Sequence, residues 1–479
     1  MNYRMILYIL GWILNFEAFF MLPACLTSFL YRERSGLSLL FTAAICLVIG
    51  LLIVRKKPKR TRIHAREGFV ITALSWVVLS VFGAVPFVVS GYIPSMVDAV
   101  FETASGFTTT GASILTDVEA LPNGLLFWRS FTHWIGGMGV LVFVIAILPL
   151  AGGSNMYLMK AESPGPSVKK LVPKVRRTAI TLYGLYLLIT VIEVLFLLAG
   201  KMPLFDALTT TFGTAGTGGF GIKNSSIGGY STYIQVVVTV FMILFGVNFN
   251  LYYLIYKKKW KELRYCTEVF TYLAIIAVSI LLISINIRGM YAHTATAVKD
   301  AAFQVGSIIT TTGFSTTDFD LWPSFSKTIL VTLMFIGACA GSTGGGIKVS
   351  RIIIILKTVV KELDVISHPN NVRKIKIEGK GLEHAVLRSV NVFIMAYFAT
   401  FVISVLLISL DNFDMTTNFT AVAATLNNIG PGLAKVGPTA NFAGFSDFSK
   451  LVLTFDMLAG RLELFPVLIL LSWRTWKRQ

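Results

Sequence analysis

Long apolar runs alternate with short polar stretches along the chain, and most of the runs are long enough to cross a membrane. A spanning helix needs about 20 residues that are predominantly apolar. The first run is interrupted by Asn15 and Glu17, and no convincing small-residue cleavage site follows it, so an uncleaved helix is predicted. The predicted spans are 5–30, 37–54, 69–93, 125–150, 178–200, 230–256, 268–288, 327–356, 389–410 and 449–473.

Four shorter segments rich in Thr and Gly lie between pairs of these spans and repeat one pattern. Each begins with Asp or Thr and reaches a glycine 13 positions later, because 111 − 98, 219 − 206, 313 − 300 and 430 − 417 all equal 13. Asp or Thr at the start predicts the N-cap of a short helix. The Thr/Gly end predicts extended or left-handed backbone with exposed carbonyls, next to the negative end of the helix dipole. Four such elements around one axis would form a ring of carbonyls that can replace the hydration shell of an ion.

The order of these elements predicts an all-α polytopic membrane protein in which two N-terminal spans precede four pseudo-symmetric units around one central pore. Each unit is a span, a short pore helix and a second span. Irregular backbone at membrane depth is tolerated only inside protein or against water. The short segments are therefore placed at the centre of the ring and not in external re-entrant loops, the alternative for a transporter. The predicted parts are a two-helix extension, 1–66, and units 67–160, 161–264, 265–370 and 371–479.

Composition and charge give the expected sidedness. Only 14% of the 479 residues are charged and 55% are apolar, and the mean hydropathy is +0.73, whereas soluble domains carry about 25% charged residues. The net charge of +18 comes from basic runs between the units, which indicates cytoplasmic loops more than nucleic-acid binding. Both termini are then cytoplasmic, with Arg32 and Arg34 as an exception in the first external turn.

Acidic residues fall on the outer halves of the predicted units. An acidic mouth concentrates cations at the entrance of a pore. The residues in this set are Asp98, Glu102, Asp117, Glu119, Asp206, Asp300, Asp318, Asp320, Asp411, Asp414 and Asp447.

The stretch 327–356 contains a glycine cluster that predicts a break in the helix at membrane depth. Four glycines lie within 341–346, and each costs a helix about 1 kcal/mol relative to Ala. Close helix packing through small residues is the alternative, but the cluster is dense enough to favour an intramembrane loop. In the last span, Arg461 is an ionisable residue inside the membrane and so a functional candidate. Its structural alternative is a pair with Asp456 or Glu463.

The remaining polar residues and the cysteines give weaker indications of function. Gly246 and Asn248 favour close packing over a kink, and a lone His133 among glycines favours a structural role over a metal site. Neither a disulfide framework nor a metal site is indicated by the spacing of the cysteines. With five His and no matched acid, base or nucleophile set, an enzyme is not predicted. The cysteines are Cys25, Cys46, Cys266 and Cys339.

Taken together, these motifs resemble the Trk/Ktr/HKT superfamily of potassium transporters, and its TrkH branch most closely. The resemblance runs nearly end to end, and the two extra N-terminal spans are similar to those of the TrkH type. The motifs that carry it are Thr-Thr-Thr-Gly111, Thr-Gly-Gly219-Phe, Thr-Thr-Thr-Gly313-Phe, Asn-Asn-Ile-Gly430-Pro, His133-Trp-Ile-Gly-Gly-Met-Gly139, Gly341-Ser-Thr-Gly-Gly-Gly-Ile-Lys348 and Gly460-Arg-Leu-Glu-Leu-Phe-Pro466.

The resemblance implies potassium uptake across the bacterial cytoplasmic membrane through a gated, channel-like pore with a four-glycine filter. It implies K⁺ as the transported ion and no cofactor in this chain. All four filter positions are Gly, whereas a Ser at the first accompanies sodium transport in plant relatives. The second and fourth copies lack the Thr-Thr-Thr run, so we expect weaker selectivity than in a strictly fourfold filter. The implied potassium-binding residues are Thr109, Thr110, Gly111, Thr217, Gly218, Gly219, Thr311, Thr312, Gly313, Asn428, Ile429 and Gly430.

The resemblance also implies a gate and partners. It implies a homodimer that docks a cytoplasmic nucleotide-binding regulatory subunit of the TrkA/KtrA type. A sodium- or proton-coupled cation symporter, with the broken helix as its substrate site, is the alternative function. The implied gate residues are Gly341, Ser342, Thr343, Gly344, Gly345, Gly346, Lys348 and Arg461.

Overall fold

The computed structural model describes residues 1–58, 64–147, 175–368, 375–377 and 380–476, and these residues are mostly helical. Two N-terminal helices, α1 (Tyr3–Leu30) and α2 (Ser35–Val54), pack along each other as a hairpin. The Asn2 side chain caps α1 by accepting the Met5 N–H at 3.2 Å. This hairpin lies against the first of four similar units.

Each unit has a long first helix, a short helix and a third helix that begins the second predicted span. The elements of the units are α3 (Ala65–Val89), α4 (Met96–Phe107) and α5 (Asn123–Ile147); α6 (Val175–Ala199), α7 (Leu204–Gly216), α8 (Thr232–Phe245) and α9 (Phe249–Tyr256); α11 (Thr267–Ile287), α12 (Thr294–Ile309), α13 (Ser324–Ile336) and α14 (Val349–Ser367); and α15 (His384–Ile408), α16 (Met415–Leu426), α17 (Asp447–Arg461) and α18 (Phe465–Leu471). A single helical turn, α10 (Trp260–Leu263), follows α9, and α19 (Trp473–Trp476) follows α18.

The units are joined in a closed order. The third helix of each unit packs against the short helix of the next unit: α5 against α7, α8 against α12, α13 against α16, and α17 against α4. The short helices α4, α7, α12 and α16 are largely buried inside this arrangement. Because α17 returns to α4, the fourth unit closes on the first.

Six helices within the described residues are long and apolar enough to cross a membrane, or seven if α8 and α9 count as one span. The six are α1, α2, α3, α6, α11 and α15. Three predicted spans are instead broken helices. The predicted break in 327–356 is confirmed, because residues 337–348 separate α13 from α14 without helical structure.

Two further breaks were not predicted. The span 230–256 bends by 87° between α8 and α9, so packing was the wrong interpretation of Gly246 and Asn248. Asn248 caps the new helix by accepting the Asn250 N–H at 2.8 Å. The span 449–473 breaks after Arg461, where Glu463 and Leu464 both have positive φ.

The predicted N-caps of the short helices are also wrong. Ser95 caps α4, and Asp98 lies in its first turn. Pro203 precedes α7, and Asp206 lies in its first turn. In the fourth unit the cap is Asp414, three residues before the predicted Thr417. Asp300 lies in the middle of α12, which begins at Thr294.

Smaller elements complete the described chain. Strands β1 (Lys376–Ile377) and β2 (Lys380–Gly381) pair antiparallel before α15, with Lys376 opposite Gly381 and Ile377 opposite Lys380. Short 3₁₀ turns lie at Arg288–Met290, Phe319–Leu321, Ser409–Asp411 and Ala434–Val436.

Candidate functional site

The four short helices end in the same hydrogen-bonded turn. We call residues 108–111, 216–219, 310–313 and 427–430 the turn segments. In each segment the residue directly before the final glycine donates its N–H to the carbonyl of the residue five positions before it. The residue two positions before the final glycine donates its N–H to the carbonyl of the residue three positions before it. Together these two bonds form a Schellman motif. The first of these bonds is 2.8 Å in all four copies: Thr110 to Ser105, Gly218 to Gly213, Thr312 to Ser307 and Ile429 to Ala424.

Positive φ angles recur at matched positions in the turn segments. Two residues before each glycine the backbone is left-handed, and the glycine itself again has positive φ. A left-handed conformation costs a residue other than Gly roughly 1–2 kcal/mol, and a β-branched residue is an outlier there. Such strain persists where the surroundings enforce it, often at functional sites. The angles are 55° at Thr109, 55° at Thr217, 59° at Thr311 and 56° at Asn428, then 81° at Gly111, 76° at Gly219, 86° at Gly313 and 98° at Gly430.

The four glycines lie in a closed cycle. A Cβ added to each would come closer than 3.0 Å to a carbonyl oxygen of the next turn segment, a distance that real Cβ atoms essentially never show. Four segments from distant parts of the chain therefore meet around one axis, and side chains are excluded between them. The pairs are Gly111 with the oxygen of Gly218, Gly219 with Thr312, Gly313 with Ile429, and Gly430 with Thr110.

The seam between the fourth and first segments has its own link. Asn428 occupies the left-handed position that Thr holds in the other three copies. Its amide nitrogen donates to the Thr110 Oγ1 at 2.9 Å and to the Met457 carbonyl at 2.8 Å. Tyr397 of α15 donates its hydroxyl to the Asn427 Oδ1 at 2.9 Å. The fourth segment is thus fixed from both sides.

Threonine hydroxyls line the same region. Thr108 and Thr110 share a hydrogen bond of 2.8 Å between their Oγ1 atoms, and Thr310 and Thr312 share one of 2.7 Å. Thr109 Oγ1 is buried and has no hydrogen-bond partner within the described residues. No group of three or more His, Cys, Asp or Glu in the described part of the chain could hold a metal ion. The oxygen atoms concentrated here belong to backbone carbonyls, hydroxyls and the side-chain amides of Asn427 and Asn428.

His133 has the structural role that the sequence favours. Its Nδ1 lies 2.8 Å from the Gly106 carbonyl oxygen, and its Nε2 accepts the Phe220 N–H at 3.2 Å. The ring therefore joins the end of α4 to the residue after Gly219. Gly136 of the same helix packs directly on the Phe107 carbonyl, where a Cβ would overlap it.

Glu102 does not belong to the predicted acidic mouth. It is buried and pairs with the buried Arg129, with Nε and Oε1 2.6 Å apart. Arg129 also donates to the Gly221 carbonyl at 2.9 Å, and Glu102 accepts the Ile114 N–H at 2.9 Å. The pair therefore fixes the chain that leaves the first and second turn segments.

Several other acids of that set are paired as well. Asp98 lies 2.6 Å from the Lys450 Nζ, and Asp206 lies 3.8 Å from the Lys223 Nζ. Asp300 lies 3.2 Å from the Lys299 Nζ. These contacts reduce the negative charge that the sequence alone attributes to the outer end.

The broken-helix loop, residues 337–348, lies directly against the third and fourth turn segments. The Gly345 N–H donates to the Thr311 Oγ1 at 2.6 Å. A Cβ at Gly344 would be 2.8 Å from the Thr310 carbonyl oxygen, and one at Gly345 would overlap the Asn427 carbonyl. The predicted gate glycines are therefore in contact with the predicted filter.

Arg461 reaches this loop from α17. Its two terminal nitrogens donate to the carbonyls of Thr343 and Gly136, each at 2.7 Å. Lys348, which has a φ of 84°, turns back to donate to the Gly344 carbonyl. Two cations thus hold the broken-helix loop by its carbonyl groups.

The proposed structural partners of Arg461 are engaged elsewhere. Glu463 pairs with Arg351 of α14, with Nη2 and Oε2 2.6 Å apart. Asp456 accepts the Ser404 hydroxyl at 2.6 Å. The hydrogen bonds of the Arg461 guanidinium to Thr343 and Gly136 therefore replace the ion pair that the sequence left open.

Sequence reasoning missed the acid that anchors both ends of the loop. Glu268, buried at the start of α11, accepts the N–H of Ala340 at 2.7 Å and that of Ser350 at 3.1 Å. An acidic residue just inside an apolar span was the available signal. Its partners are backbone groups, which carry no sequence signature.

Comparisons with known proteins find relatives of this chain in both sequence and structure. The sequence model of the TrkH family, described as a cation transport protein, matches residues 37–475. The chain is 38% identical to the Trk system potassium uptake protein TrkH of Vibrio parahaemolyticus, over the whole of both chains, and 33% identical to the Trk system potassium uptake protein TrkG of Escherichia coli, over 99% of each. The crystal structure of the potassium transporter TrkH from Vibrio parahaemolyticus superposes with a TM-score of 0.88 and 34% identity, covering both chains completely.

Proposed function

Because this chain belongs to the TrkH family of cation transport proteins, we propose that it mediates potassium uptake across a membrane. It is an all-α membrane protein, and members of this family are transporters and not enzymes. The names of its relatives support potassium as the cargo, since proteins 33–38% identical to it over nearly their whole length are potassium uptake proteins.

We further propose that the ion passes through a channel-like pore at the centre of the four units, with the turn segments as its filter. The closed cycle of Gly111, Gly219, Gly313 and Gly430 is the observation that carries this proposal. A ring of carbonyl and hydroxyl oxygens suits a monovalent hard cation, because such oxygens can replace its water shell. The buried, unpartnered hydroxyl of Thr109 supports the same assignment.

The broken-helix loop is proposed as the gate of this pore. It contacts two of the four turn segments and is held by Arg461 and Lys348 through carbonyl groups. Such a loop can block ion flow in one position and permit it in another, because hydrogen bonds and not covalent bonds fix where it lies.

Rubidium uptake into liposomes that contain the purified protein tests the function. Uptake that potassium blocks and sodium affects little is expected for a potassium pore. Uptake that requires a gradient of sodium or protons would instead support the coupled-carrier alternative. Equal passage of rubidium and sodium would contradict the proposed selectivity.

The substitution Gly313→Ser tests the filter assignment. A Cβ at Gly313 would overlap the Ile429 carbonyl, and the φ of 86° disfavours any side chain. We expect rubidium uptake, or its preference over sodium, to fall on the order of tenfold, which corresponds to about 1.4 kcal/mol.

Gly184→Ser is the matched control for Gly313→Ser. It adds the same side chain to α6, where nothing lies within 4 Å of the new Cβ. Normal selectivity in both variants would show that the turn segments are not the selectivity filter.

Partners and placement are also proposals. We propose a homodimer in the bacterial cytoplasmic membrane, with cytoplasmic termini and a nucleotide-binding regulatory subunit on that side. Several basic residues that could serve this docking, within 148–174, lie outside the described residues. The division into units at residues 66, 160, 264 and 370 stays a prediction.

A further inference from the structure

A short basic and aromatic turn follows the bend in the second unit. We call residues 256–265 the basic-aromatic turn. Three aromatic side chains are widely exposed there: Tyr256 is 64% exposed, and Trp260 and Tyr265 are each 61% exposed. Aromatic rings with a polar edge are enriched where a membrane meets water. We therefore expect these exposed rings to contact an apolar or interfacial environment.

The charge of the turn is strongly positive. Lys257, Lys258, Lys261 and Arg264 are all exposed. Its one acid, Glu262, lies 2.7 Å from the Lys259 Nζ, and this hydrogen bond and charge pairing raise the pKa of Lys259. Apart from this pair, four cationic side chains of the turn are exposed, and their positive charge is complementary to an anionic surface.

The bend gives the turn its orientation. Helix α9 leaves α8 at 87°. With α8 taken along the membrane normal, α9 runs close to the membrane plane. The basic-aromatic turn lies at the far end of α9, and because its exposed cations would be costly inside the acyl layer, we place it at the boundary between the acyl chains and the cytoplasm.

The same bend is bonded to the proposed gate. The Phe249 N–H donates to the Gly341 carbonyl, and the Cys339 N–H donates to the Gly246 carbonyl, each at 3.1 Å. The Thr343 hydroxyl donates to the Phe245 carbonyl at 3.3 Å. A shift of α9 along the membrane therefore acts directly on the broken-helix loop.

We propose that the basic-aromatic turn binds the head groups of anionic phospholipids in the cytoplasmic leaflet, and that this binding sets the position of the broken-helix loop. Lysines and arginines interact with the phosphates, while Trp260 and the two tyrosines occupy the interface. The effect on flux rests on the proposed function, whereas lipid binding does not. Docking of a protein partner on the same turn is the competing occupant, for which the exposed aromatic rings at the membrane boundary are less suited.

The first experiment measures binding of phosphatidylglycerol to the full chain. Detergent-solubilised protein is titrated with phosphatidylglycerol and with phosphatidylcholine, and bound lipid is counted by native mass spectrometry. Each cation near an anionic surface contributes about fivefold in affinity, so the triple variant K257Q/K258Q/K261Q should bind phosphatidylglycerol on the order of a hundredfold more weakly.

A matched control removes three other cations. Arg55, Lys56 and Lys57 are exposed at the end of α2 and are predicted to lie on the same side of the membrane. The variant R55Q/K56Q/K57Q should keep the tight phosphatidylglycerol binding. Equal loss of phosphatidylglycerol binding in both variants, or no loss in either, would show that the basic-aromatic turn is not the binding site.

The second experiment measures rubidium flux in vesicles of phosphatidylcholine with increasing phosphatidylglycerol. Flux through the unmodified protein should change several-fold with the anionic fraction, and the K257Q/K258Q/K261Q variant should lose that dependence. Dependence that survives in this variant would overturn the link to the gate. Dependence on the turn that appears only with an added regulatory protein would assign the turn to protein docking instead. If no variant carries rubidium in any lipid while phosphatidylglycerol still binds, the proposed function fails and the lipid site stands.

Discussion

At the scale of single residues, Asn428 is the position where the fourfold pattern of the turn segments changes. In the first three units a threonine occupies the left-handed position, and in the fourth an asparagine does. Asn adopts this conformation more readily than Thr, and its amide reaches two acceptors at once. The residue that departs from the pattern is thus the one that links the fourth segment to the first.

The substitution Asn428→Ala should loosen this link. It removes both hydrogen bonds from a buried site and leaves acceptors without their donor, which costs about 1–3 kcal/mol. We expect the preference for rubidium over sodium to fall several-fold while the protein still folds, measured by competitive uptake into liposomes.

Asn412→Ala provides the control for this change. Asn412 is also left-handed, with a φ of 58°, but it is exposed at a 3₁₀ turn outside the turn segments. Asn412→Ala also replaces a left-handed asparagine by alanine, but it keeps the hydrogen bonds that link the fourth turn segment to the first. If both variants kept normal selectivity, the link would have no part in discrimination between ions.

At the scale of structural elements, the broken-helix loop depends on side chains from other helices. Arg461 donates one charge-assisted hydrogen bond to the Thr343 carbonyl of the loop and one to the Gly136 carbonyl of α5, and bonds of this kind are worth about 1.5–3 kcal/mol each. Removal of these bonds should therefore favour positions of the loop that leave the proposed pore unblocked.

We expect Arg461→Ala to raise rubidium flux measured without any regulatory subunit, by about tenfold or more. Arg461→Lys keeps the charge but offers no planar fork for two carbonyls, so an intermediate flux is expected. Arg288→Ala, at an exposed 3₁₀ turn, serves as the control. Flux in Arg461→Ala that matches the control would rule out a gating role for this residue.

The cap of α16 predicts a pH dependence. The Asp414 carboxylate accepts the Thr417 hydroxyl and the Thr417 N–H, and these two bonds hold its pKa below the ordinary value. A lowered pKa stabilises the fold above the ordinary aspartate pKa of about 4, and that contribution is lost as the pH falls through the lowered value.

Asp414→Ala should therefore lower the free energy of unfolding by about 1 kcal/mol at neutral pH. The difference from the unmodified protein should shrink as the pH falls below about 4. Thermal unfolding followed over a pH series checks this, with Asp447→Ala as a control in the first turn of another helix. A difference that stays constant down to low pH would contradict the cap.

The elements differ in how far the sequence predicts them. The intervals of Thr and Gly predict the short helices and the break at 341–346, because both depend on local backbone preferences. Asn248 and Pro466 also signal new helix starts, but long apolar runs concealed those breaks. Hydrogen bonds of His133, Glu268 and Arg461 reach backbone groups far away in sequence, so no local pattern could reveal them.

At the scale of the whole molecule, the ring depends on contacts between its fourth and first units. Lys450 of α17 lies 2.6 Å from Asp98 of α4, and the pair is largely buried on the lysine side. An ion pair that loses one partner leaves a charge that is poorly solvated. This pair therefore reports on the closure of the ring.

A charge swap tests this closure. Asp98→Lys and Lys450→Asp should each lower the unfolding temperature, since each places like charges together. The double swap should recover part of the loss, because opposite charges face each other again. Thermal unfolding of the four proteins in detergent gives the coupling. Additive losses in the double variant would show that the pair does not join the two units.

The number and order of units were predictable because the repeats are visible in the sequence, whereas the direction of closure was not. Four matched glycines at positions 111, 219, 313 and 430 indicate four equivalent places around an axis. That each unit covers the short helix of the next follows from the packing of α5, α8, α13 and α17, and the sequence does not show which neighbouring unit each of these helices contacts.

The return of α17 to α4 also sets a condition on biosynthesis. A ribosome makes the chain from the amino end, so α4 is in the membrane long before α17 exists. Asn428, Lys450 and Arg461, which complete the closure, are all translated more than 300 residues after α4. Until α17 is made, the contacts that close the ring are missing. We expect a chain that stops before α17 to remain an open arc.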